Sequence, residues 1–285
     1  MKLSLGTAQF GLNYGISNDK GLTKKKEITK ILDYCIKNNI RNIDTAKNYG
    51  SAEKILGQYK NIKKFRINSK ISNLVNIKNI STIKNQIEDS LKKLRISKLN
   101  ICYIHNFNDI KIKKNGIKIF TELNKLKKNN KIKKIGISIY SLKELNFCLK
   151  NYIFDTVQIP MNILNQDFCS TKILKNLKKN KIIVEVRSIF LQGIFFLNPH
   201  KLQNKFKPLK SKLLKLQKIK HENSDILKHC IKFVKKFKIV KKIIIGVTSE
   251  KELKTILKYY NSRNYRPINY SLFKSKSKMR NPVFW

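Results

Sequence analysis

Short apolar runs rich in β-branched residues alternate along the chain with longer stretches in which apolar residues recur every three or four positions. The short runs predict strands and the longer stretches predict amphipathic helices, because a strand repeats every two residues and a helix about every 3.6. In one such helix the apolar positions are Ile28, Ile31, Leu32, Cys35 and Ile36. We predict eight strands, at Lys2–Leu5, Ile40–Asp44, Phe65–Ile71, Leu99–Ile104, Ile132–Ser138, Ile153–Ile159, Ile182–Val186 and Ile243–Val247.

Eight strands that are each followed by a helix form the pattern of a closed α/β structure, the (β/α)8 TIM barrel. The length of 285 residues fits one barrel, and no change in composition marks a boundary between two domains. An open, doubly wound parallel sheet is the alternative. We therefore expect one barrel over residues 1–262 and a C-terminal tail over residues 263–285, which packs on the barrel or frays from it.

Two further patterns locate helix starts and one long loop. Ser141 precedes Glu144 by three residues, and Ser249 precedes Glu252 in the same way, which is the spacing of a capping box. The segment Arg187–Asn223 is longer than an ordinary connection between a strand and a helix. In a barrel it follows strand 7 and lies over the C-terminal face, where substrate loops are found.

The chain is strongly basic, with 63 Lys and Arg against 17 Asp and Glu and a formal net charge of +46. Such an excess suggests nucleic-acid binding, since basic side chains neutralise phosphates. However, 56 of the 63 basic residues are lysines, and arginine, which contacts phosphate and guanine with two hydrogen bonds at once, is scarce. We therefore interpret the charge as background composition and expect no nucleic-acid partner.

The cysteines and the apolar runs bear on the compartment. The five cysteines include no CxxC pair, which is typical of a reduced, intracellular chain rather than a disulfide-bonded one. No apolar run is long enough for a signal peptide or a membrane span. We expect a cytoplasmic protein that has no membrane association and binds no metal.

Polar residues gather where the predicted strands end, and in a barrel that face carries function. Asp44 ends the second strand, Lys70 lies near the end of the third, and His105 follows the fourth. Each alone has an ordinary explanation, as a helix N-cap, a solvated lysine and a loop histidine. Their occurrence at matching positions of three successive strands favours one shared site. The later strands end in further candidates, namely Ser138, Gln158, Arg187, Ser188 and Gly246.

Tyr49 completes this set, five residues after Asp44 and directly before Gly50. A tyrosine hydroxyl is a poor acid or base at neutral pH unless a cation stabilises its phenolate. Lys70 can supply that cation, and Asp44 can keep the lysine charged and oriented. His105 can then hydrogen-bond a substrate oxygen on which charge develops.

The four residues Asp44, Tyr49, Lys70 and His105 resemble the catalytic tetrad of the aldo-keto reductase superfamily. Nearly the whole chain resembles that family, in order. The similar motifs are Leu-Gly-Thr-Ala-Gln-Phe-Gly (5–11), Ile-Asp-Thr-Ala-x-x-Tyr-Gly-x-Ala-Glu-x-x-Leu-Gly (43–57), Tyr-Ile-His-Asn (103–106), Ile-Gly-Ile-Ser (135–138), Val-Gln-Ile-Pro (157–160), Arg-Ser-Ile-Phe-Leu-Gln-Gly (187–193) and Ile-Gly-Val-Thr-Ser-x-x-Glu-Leu (245–253).

The resemblance implies a barrel that binds a nicotinamide cofactor in extended form, without a Rossmann domain. It implies reduction of an aldehyde or ketone to an alcohol, or the reverse, with Tyr49 as the acid and His105 orienting the carbonyl. Ser138 and Gln158 match positions that bind the nicotinamide carboxamide. The other residues that the resemblance assigns to the cofactor are Gly6, Thr7, Arg187, Ser188, Gly246, Thr248 and Ser249.

Several features depart from the family pattern or refine it. The first strand begins almost at Met1, where typical members have an N-terminal hairpin. NADPH is the cofactor that the resemblance implies, but Glu252 stands where members that prefer NADPH commonly carry Arg, so NADH is possible. Lys47 lies inside the tetrad motif and suggests an anionic carbonyl substrate, although it is equally well explained as a surface lysine. We expect a monomer or a weak homo-oligomer.

Two other functions remain open at this point. One is a Schiff-base enzyme in which Lys70 attacks a carbonyl, which requires that the lysine lose its charge. The other is a non-catalytic, cofactor-dependent binding or regulatory protein. An intact set of four catalytic side chains argues against the second, and Asp44 beside Lys70 argues against the first.

Overall fold

The computed structural model of the chain describes residues 1–75, 79–218, 223–263 and 268–285. Eight parallel strands close into a barrel in sequence order, with the last strand paired to the first. The predicted (β/α)8 barrel is therefore confirmed. The strands are β1 (Lys2–Gly6), β2 (Asn42–Asp44), β3 (Arg66–Ile71), β4 (Ile101–Ile104), β5 (Ile135–Ser138), β6 (Thr156–Pro160), β7 (Ile183–Arg187) and β8 (Val240–Gly246).

Helices connect the strands and cover the outside of the barrel. Among the described residues, two α-helices follow β1 and two follow β7, and one α-helix follows each of the other strands. They are α1 (Ala8–Gly11), α2 (Lys25–Lys37), α3 (Ala52–Gly57), α4 (Ser81–Leu94), α5 (Lys113–Lys128), α6 (Leu142–Asn151), α7 (Thr171–Lys179), α8 (Lys210–Lys218), α9 (Asn223–Lys235) and α10 (Glu250–Asn261).

The core lies between the barrel and the inner faces of these helices. In α2, the residues Ile28, Ile31, Leu32 and Cys35 are buried, as their helical spacing predicts. The strands are buried on both faces, which explains why they appear in the sequence as continuous apolar runs rather than alternating ones. Several of the buried polar side chains lie at strand ends, as Asp44 and Ser138 do.

The serine contact of each predicted capping box is present, and each Glu carboxylate accepts from the N–H one residue before the N-cap. The Ser141 hydroxyl accepts a hydrogen bond from the backbone N–H of Glu144 at the start of α6, and Ser249 does the same for Glu252 at the start of α10. In return, the Glu144 carboxylate accepts from the Tyr140 N–H at 2.7 Å. These contacts satisfy N–H groups that have no partner within the helix.

Three predicted strand starts are wrong by three residues. β5 begins at Ile135 and not at Ile132. Ile153 was expected to begin β6, but its side chain is 92% exposed and the strand begins at Thr156. β8 begins at Val240, before the predicted start at Ile243. Lys241 and Lys242, which follow Val240, interrupt the apolar run from which the start was predicted. Lys242 lies in the strand, where it forms an ion pair of 2.7 Å with the buried carboxylate of Glu185.

The last described segment, 268–285, lies against the rest of the protein, while residues 264–267 of the predicted tail are outside the described part. Tyr270 and Phe273 are buried. Arg280 forms an ion pair of 2.8 Å with Asp167, and the Trp285 ring meets Phe206 edge to face. These contacts pack the end of the chain against the connection after β6 and the long loop after β7.

Within the described ranges, no helix is both long and apolar enough to cross a membrane.

Candidate active site

A cavity of about 870 Å³ opens at the C-terminal ends of the strands. The sequence-predicted site residues converge on it, although they are spread from Gly6 to Ser249 along the chain. Of the predicted set, Lys70 does not line the cavity and lies behind the wall. The lining includes Gly6, Thr7, Asp44, Tyr49, His105, Ser138, Gln158, Arg187, Ser188, Gly246, Thr248 and Ser249.

Asp44 and Lys70 form a buried ion pair at the floor of the cavity. The Lys70 Nζ lies 2.5 Å from Asp44 Oδ2 and also donates to the carbonyl of Thr45, while Gln158 Nε2 donates to Asp44 Oδ1 at 2.8 Å. The side chains of Lys70 and Asp44 are 1% and 4% exposed. Burial opposes the charge of Lys70, but the Asp44 carboxylate and the Tyr49 hydroxyl overcome that effect and raise the pKa of Lys70 above its ordinary value. Lys70 is therefore a fixed cation.

This geometry disfavours a Schiff base. A lysine attacks a carbonyl only as the neutral amine, and a raised pKa removes that form at neutral pH. The Nζ of Lys70 is also enclosed by Asp44 and Thr45, away from the cavity surface.

Tyr49 lies between the buried cation and the cavity. Its ring centroid is 5.1 Å from the Lys70 Nζ, and the ring meets His105 edge to face at 5.9 Å. Burial raises the pKa of the Tyr49 hydroxyl, while the positive charge of Lys70 lowers it, and burial dominates. The charge of Lys70 thus offsets part of the effect of burial on the Tyr49 pKa, and the hydroxyl holds its proton at neutral pH. A protonated phenol beside a fixed ammonium can donate a proton and is then stabilised as the phenolate.

Two glycines hold the Tyr49 loop in place by close backbone contact. Gly50 has a φ of +55°, and a Cβ there would overlap the carbonyl oxygen of Gly11. A Cβ on Gly11, at the end of α1, would overlap the carbonyl oxygen of Tyr49. Because neither position has room for a side chain, the loop lies directly on α1, and this contact sets the height of Tyr49 above the barrel.

His105 follows β4, where its backbone N–H continues the sheet by donating to Ile71 O at 2.9 Å. Burial, together with the charges of Lys70 and Arg187, lowers the pKa of the imidazole to about 3. The neutral ring keeps one N–H donor, which can hydrogen-bond an oxygen in the cavity.

We expect this histidine to make folding stability depend on pH. In the unfolded chain it binds a proton near its ordinary pKa of 6.5, and in the folded protein only near 3. The unfolded state therefore binds more protons between these values, and stability falls as pH is lowered below 6.5, by about 2 kcal/mol between pH 7 and pH 5. In urea denaturation, the free energy of unfolding of His105→Gln should not show this fall between pH 7 and pH 5. His200→Gln, at an exposed position, is the control and should retain it; equal pH slopes in wild type and His105→Gln would contradict the expectation.

Arg187 is held at the end of β7 with its guanidinium over the ring of Tyr140, at 4.0 Å from the ring centroid. Its Nη2 donates to the carbonyl of Ile139 at 3.2 Å and lies 3.5 Å from the Ser138 hydroxyl. Ser188, the next residue, has a φ of +60°, which turns the chain away from the strand and into the long loop.

Several lining residues were not predicted from the sequence. Tyr14, Asn18 and Lys20 belong to the segment after α1, and Tyr140 follows β5. The segment after α1 reaches the cavity because the N–H groups of Ile16 and Ser17 both donate to the carbonyl of Gln192 in the long loop. The local sequence pattern does not predict such a contact, because the residues lie about 175 positions apart.

Aromatic residues of the long loop and of the C-terminal segment differ in whether they reach the cavity. Phe190 and Phe196 line the cavity, whereas Phe195 is buried and Trp285 packs on Phe206. Lys47 does not line the cavity. Its Nζ lies 2.9 Å from a carboxylate oxygen of Asp89 on α4, which agrees with the explanation of Lys47 as a surface lysine and not with that of an extra cation at the cavity.

Comparison with known proteins places this site in a family. The sequence profile of the aldo/keto reductase family matches residues 2–277, which is nearly the whole chain. The chain belongs to the aldo/keto reductase family. Membership makes it an enzyme of carbonyl oxidoreduction that uses a nicotinamide cofactor. No curated protein sequence matches the chain significantly.

Solved structures of other aldo/keto reductases share its fold. An aldo-keto reductase from Bacillus halodurans in its holo form is 17% identical with a TM-score of 0.72, over 95% of this chain and 89% of that one. A glycerol dehydrogenase from Gluconobacter oxydans is 20% identical with a TM-score of 0.68, over 93% of this chain and 87% of that one. At these identities the likeness establishes the barrel and says nothing of the substrate.

The cavity of this aldo/keto reductase fits a nicotinamide cofactor. It extends from the ends of β1 and β8, past Ser138 and Gln158, to the tyrosine and histidine. Gly246 is exposed within it, and a Cβ there would press on the side chain of Gln9, so the wall is backbone at that point. Within the described chain, no group of three His, Cys, Asp or Glu side chains is arranged to hold a metal ion.

Proposed function

We propose that this aldo/keto reductase interconverts an aldehyde or ketone and the corresponding alcohol, with Tyr49 as the proton donor or acceptor. The observation that carries the proposal is the grouping of Tyr49 and His105 on one cavity wall, directly over the buried Lys70–Asp44 pair. When bound, the nicotinamide exchanges hydride with the carbonyl carbon, and the chain's own residues handle the oxygen and its proton.

Tyr49 gives its hydroxyl proton to the carbonyl oxygen during reduction, because that oxygen gains negative charge as the hydride arrives. Lys70 stabilises the resulting phenolate, since its ammonium is fixed 5.1 Å from the ring. Asp44 keeps Lys70 charged and in place. Neutral His105 donates a hydrogen bond to the same oxygen and orients the carbonyl. In the alcohol-to-carbonyl direction, Tyr49 takes the proton back.

The other predicted residues would hold the cofactor. Ser138 and Gln158 would bind the carboxamide, and Gln158 is already fixed by its bond to Asp44. The ends of β1 and β8, with the start of α10, would bind the rest of the cofactor through Gly6, Thr7, Ser188, Gly246, Thr248 and Ser249.

We place the activity in the cytoplasm, since all five cysteines are free and none is paired in a disulfide.

The test is cofactor binding followed by turnover. We expect NADPH or NADH fluorescence to change on titration with the protein, and a panel of aldehydes and ketones to show at least one that consumes the reduced cofactor. If neither the fluorescence change nor consumption of the reduced cofactor is seen, the proposal is wrong.

We propose that the enzyme accepts both NADPH and NADH and that Glu252 sets their ratio. The Glu252 carboxylate lies at the start of α10, on the cavity wall, where it accepts from the N–H of Thr248 at 2.7 Å and from its hydroxyl at 2.8 Å. This negative charge opposes a 2′-phosphate, whereas Lys251 and Lys20 on the same wall favour one.

Glu252→Gln should therefore raise the NADPH-to-NADH ratio of kcat/KM by about tenfold, because the charge is removed while the oxygen acceptor stays. Glu250→Gln is the matched control. Glu250 begins the same helix but pairs with Lys254 and does not line the cavity, so its variant should keep the wild-type ratio. A ratio unchanged in Glu252→Gln would show that this carboxylate does not set cofactor choice.

A further inference from the structure

Tyr103 is the largest fully buried side chain among the described residues, and the proposed mechanism does not use it. It is paired with Lys70 across the neighbouring strands β3 and β4. The Lys70 Nζ lies over the Tyr103 ring at 6.0 Å from its centroid, and it is 5.1 Å from the centroid of the Tyr49 ring. We propose that Tyr103 is a positioning residue, whose ring keeps the Lys70 ammonium next to Tyr49.

The Lys70 ammonium has partners on both sides of its strand. Asp44, which ends β2, and the carbonyl of Thr45 accept two of its three N–H groups. The Tyr103 ring lies on the other side, on β4. The face of an aromatic ring attracts a cation, and the attraction is strongest where water is excluded, as it is around a lysine side chain that is 1% exposed. Without the ring, the flexible lysine side chain would have room to move its charge away from Tyr49.

The Tyr103 ring is itself fixed in place by the next strand. Gly136 of β5 is the partner of Tyr103 in the sheet. A Cβ at Gly136 would lie 2.4 Å from two carbon atoms of the Tyr103 ring, so the ring rests directly on the backbone of β5. Because interiors are close-packed, a ring in this position cannot move away from Lys70 without displacing a strand.

The ring, rather than the hydroxyl, is suited to this role. Tyr103 does not line the cavity, so it cannot exchange a proton with a substrate there. Burial and the nearby Glu185 carboxylate raise the pKa of the Tyr103 hydroxyl well above its ordinary value, so it stays neutral. Glu185 and Gln158 lie close enough to act on that pKa, but the described residues complete no hydrogen bond with the hydroxyl. Tyr103 therefore acts on the reaction through Lys70.

The test rests on the proposed reductase activity and compares loss of the ring with loss of the hydroxyl. Tyr103→Leu removes the ring, and we expect kcat to fall by about tenfold. The KM of the carbonyl and the dissociation constant of the reduced cofactor should stay within about twofold of wild type, because Tyr103 contacts neither. Tyr103→Phe keeps the ring, so its kcat should stay within about threefold of wild type. If Tyr103→Leu does not fold, Tyr103→Met also lacks the ring, fills more of the space and should show the same loss.

The matched control is Phe233→Leu. Phe233 is also a fully buried aromatic residue, but it lies on α9 and packs on Phe237 and Tyr270, outside the cavity lining. Its variant should lose stability in urea as Tyr103→Leu does, because both lose a buried ring. It should keep the kcat of wild type.

A second experiment asks whether Tyr103 acts through Lys70. In a background that carries Lys70→Met and Asp44→Asn, the ammonium is absent, so adding Tyr103→Leu should lower kcat by no more than about twofold. A ring that only supports the barrel would lower kcat in this background as much as in wild type. Single-turnover measurement with cofactor fluorescence detects the slow reaction of these variants.

Several results would overturn the inference and leave the reductase proposal intact. They are an unchanged kcat in Tyr103→Leu, an equal loss in Tyr103→Phe or in Phe233→Leu, and a full tenfold loss in the background without Lys70. The first shows that the ring is not needed, the second assigns the effect to the hydroxyl or to general loosening, and the third makes Tyr103 a structural residue. If no carbonyl consumes the cofactor in wild type, the reductase proposal fails and this inference fails with it.

Discussion

Tyr49→Phe is expected to lower kcat by about 10³-fold or more while leaving the dissociation constant of the reduced cofactor unchanged. The substitution removes one oxygen atom and keeps the ring against His105 and Lys70. The carbonyl oxygen then gains charge with no proton donor beside it. Stopped-flow measurement of a single turnover, with cofactor fluorescence as the signal, separates this chemical step from binding and release.

Tyr14→Phe is the control for that experiment, because Tyr14 lines the same cavity. Its kcat should stay within a few-fold of wild type. The pH profile supplies a second readout: since burial raises the pKa of Tyr49, reduction should not slow between pH 6 and pH 9 through loss of its proton. Retention of activity in Tyr49→Phe, or an equal loss in Tyr14→Phe, would assign the proton to another group.

Lys70→Met is expected to be the most destabilising change at the site, by about 3–5 kcal/mol in the free energy of unfolding. It leaves the Asp44 carboxylate buried with Gln158 as a partner but with no cation. The phenolate of Tyr49 also loses its stabilising charge, so kcat should fall by about 10²-fold or more. Urea denaturation and kcat on the same preparation measure both effects.

The double variant Lys70→Met with Asp44→Asn distinguishes the two effects. Removing the second charge should restore much of the lost stability, because no unpaired ion remains in the interior. It should not restore activity, because the cation near Tyr49 is still absent. If Lys70→Met unfolds at the wild-type urea concentration, the pair is not the buried, mutually dependent ion pair described above.

The barrel could be predicted because its strands are buried on both faces and therefore stand out as apolar runs. The prediction failed where that signal broke. At β8, Lys241 and Lys242 interrupt the run, although Lys242 belongs to the strand and pairs with Glu185. At β6, Ile153 extends the run but points to solvent. Hydrophobicity alone does not distinguish an exposed isoleucine from a buried one.

The site residues could be predicted because a barrel brings strand ends together, so Asp44, Lys70 and His105 were candidates before their distances were known. The residues that were missed reach the cavity through loop contacts. Ile16 and Ser17 bond to Gln192, a residue in the left-handed region. The direction of the shift in the Tyr49 pKa was also beyond the sequence, since it is the difference between burial and the Lys70 charge.

The contact between Gly11 and Gly50 limits how this protein can change. The chain has ten glycines among 285 residues, and its sequence is rich in lysine, isoleucine and asparagine. None of those three residues fits at either position, because each would bring a Cβ into a backbone oxygen. A mutational library aimed at new substrates can vary the segment after α1 and the loop after β7, but it should leave these two codons untouched. We expect a replacement at Gly11 or Gly50 to move Tyr49 and to abolish activity, even in a variant whose loops bind a new substrate.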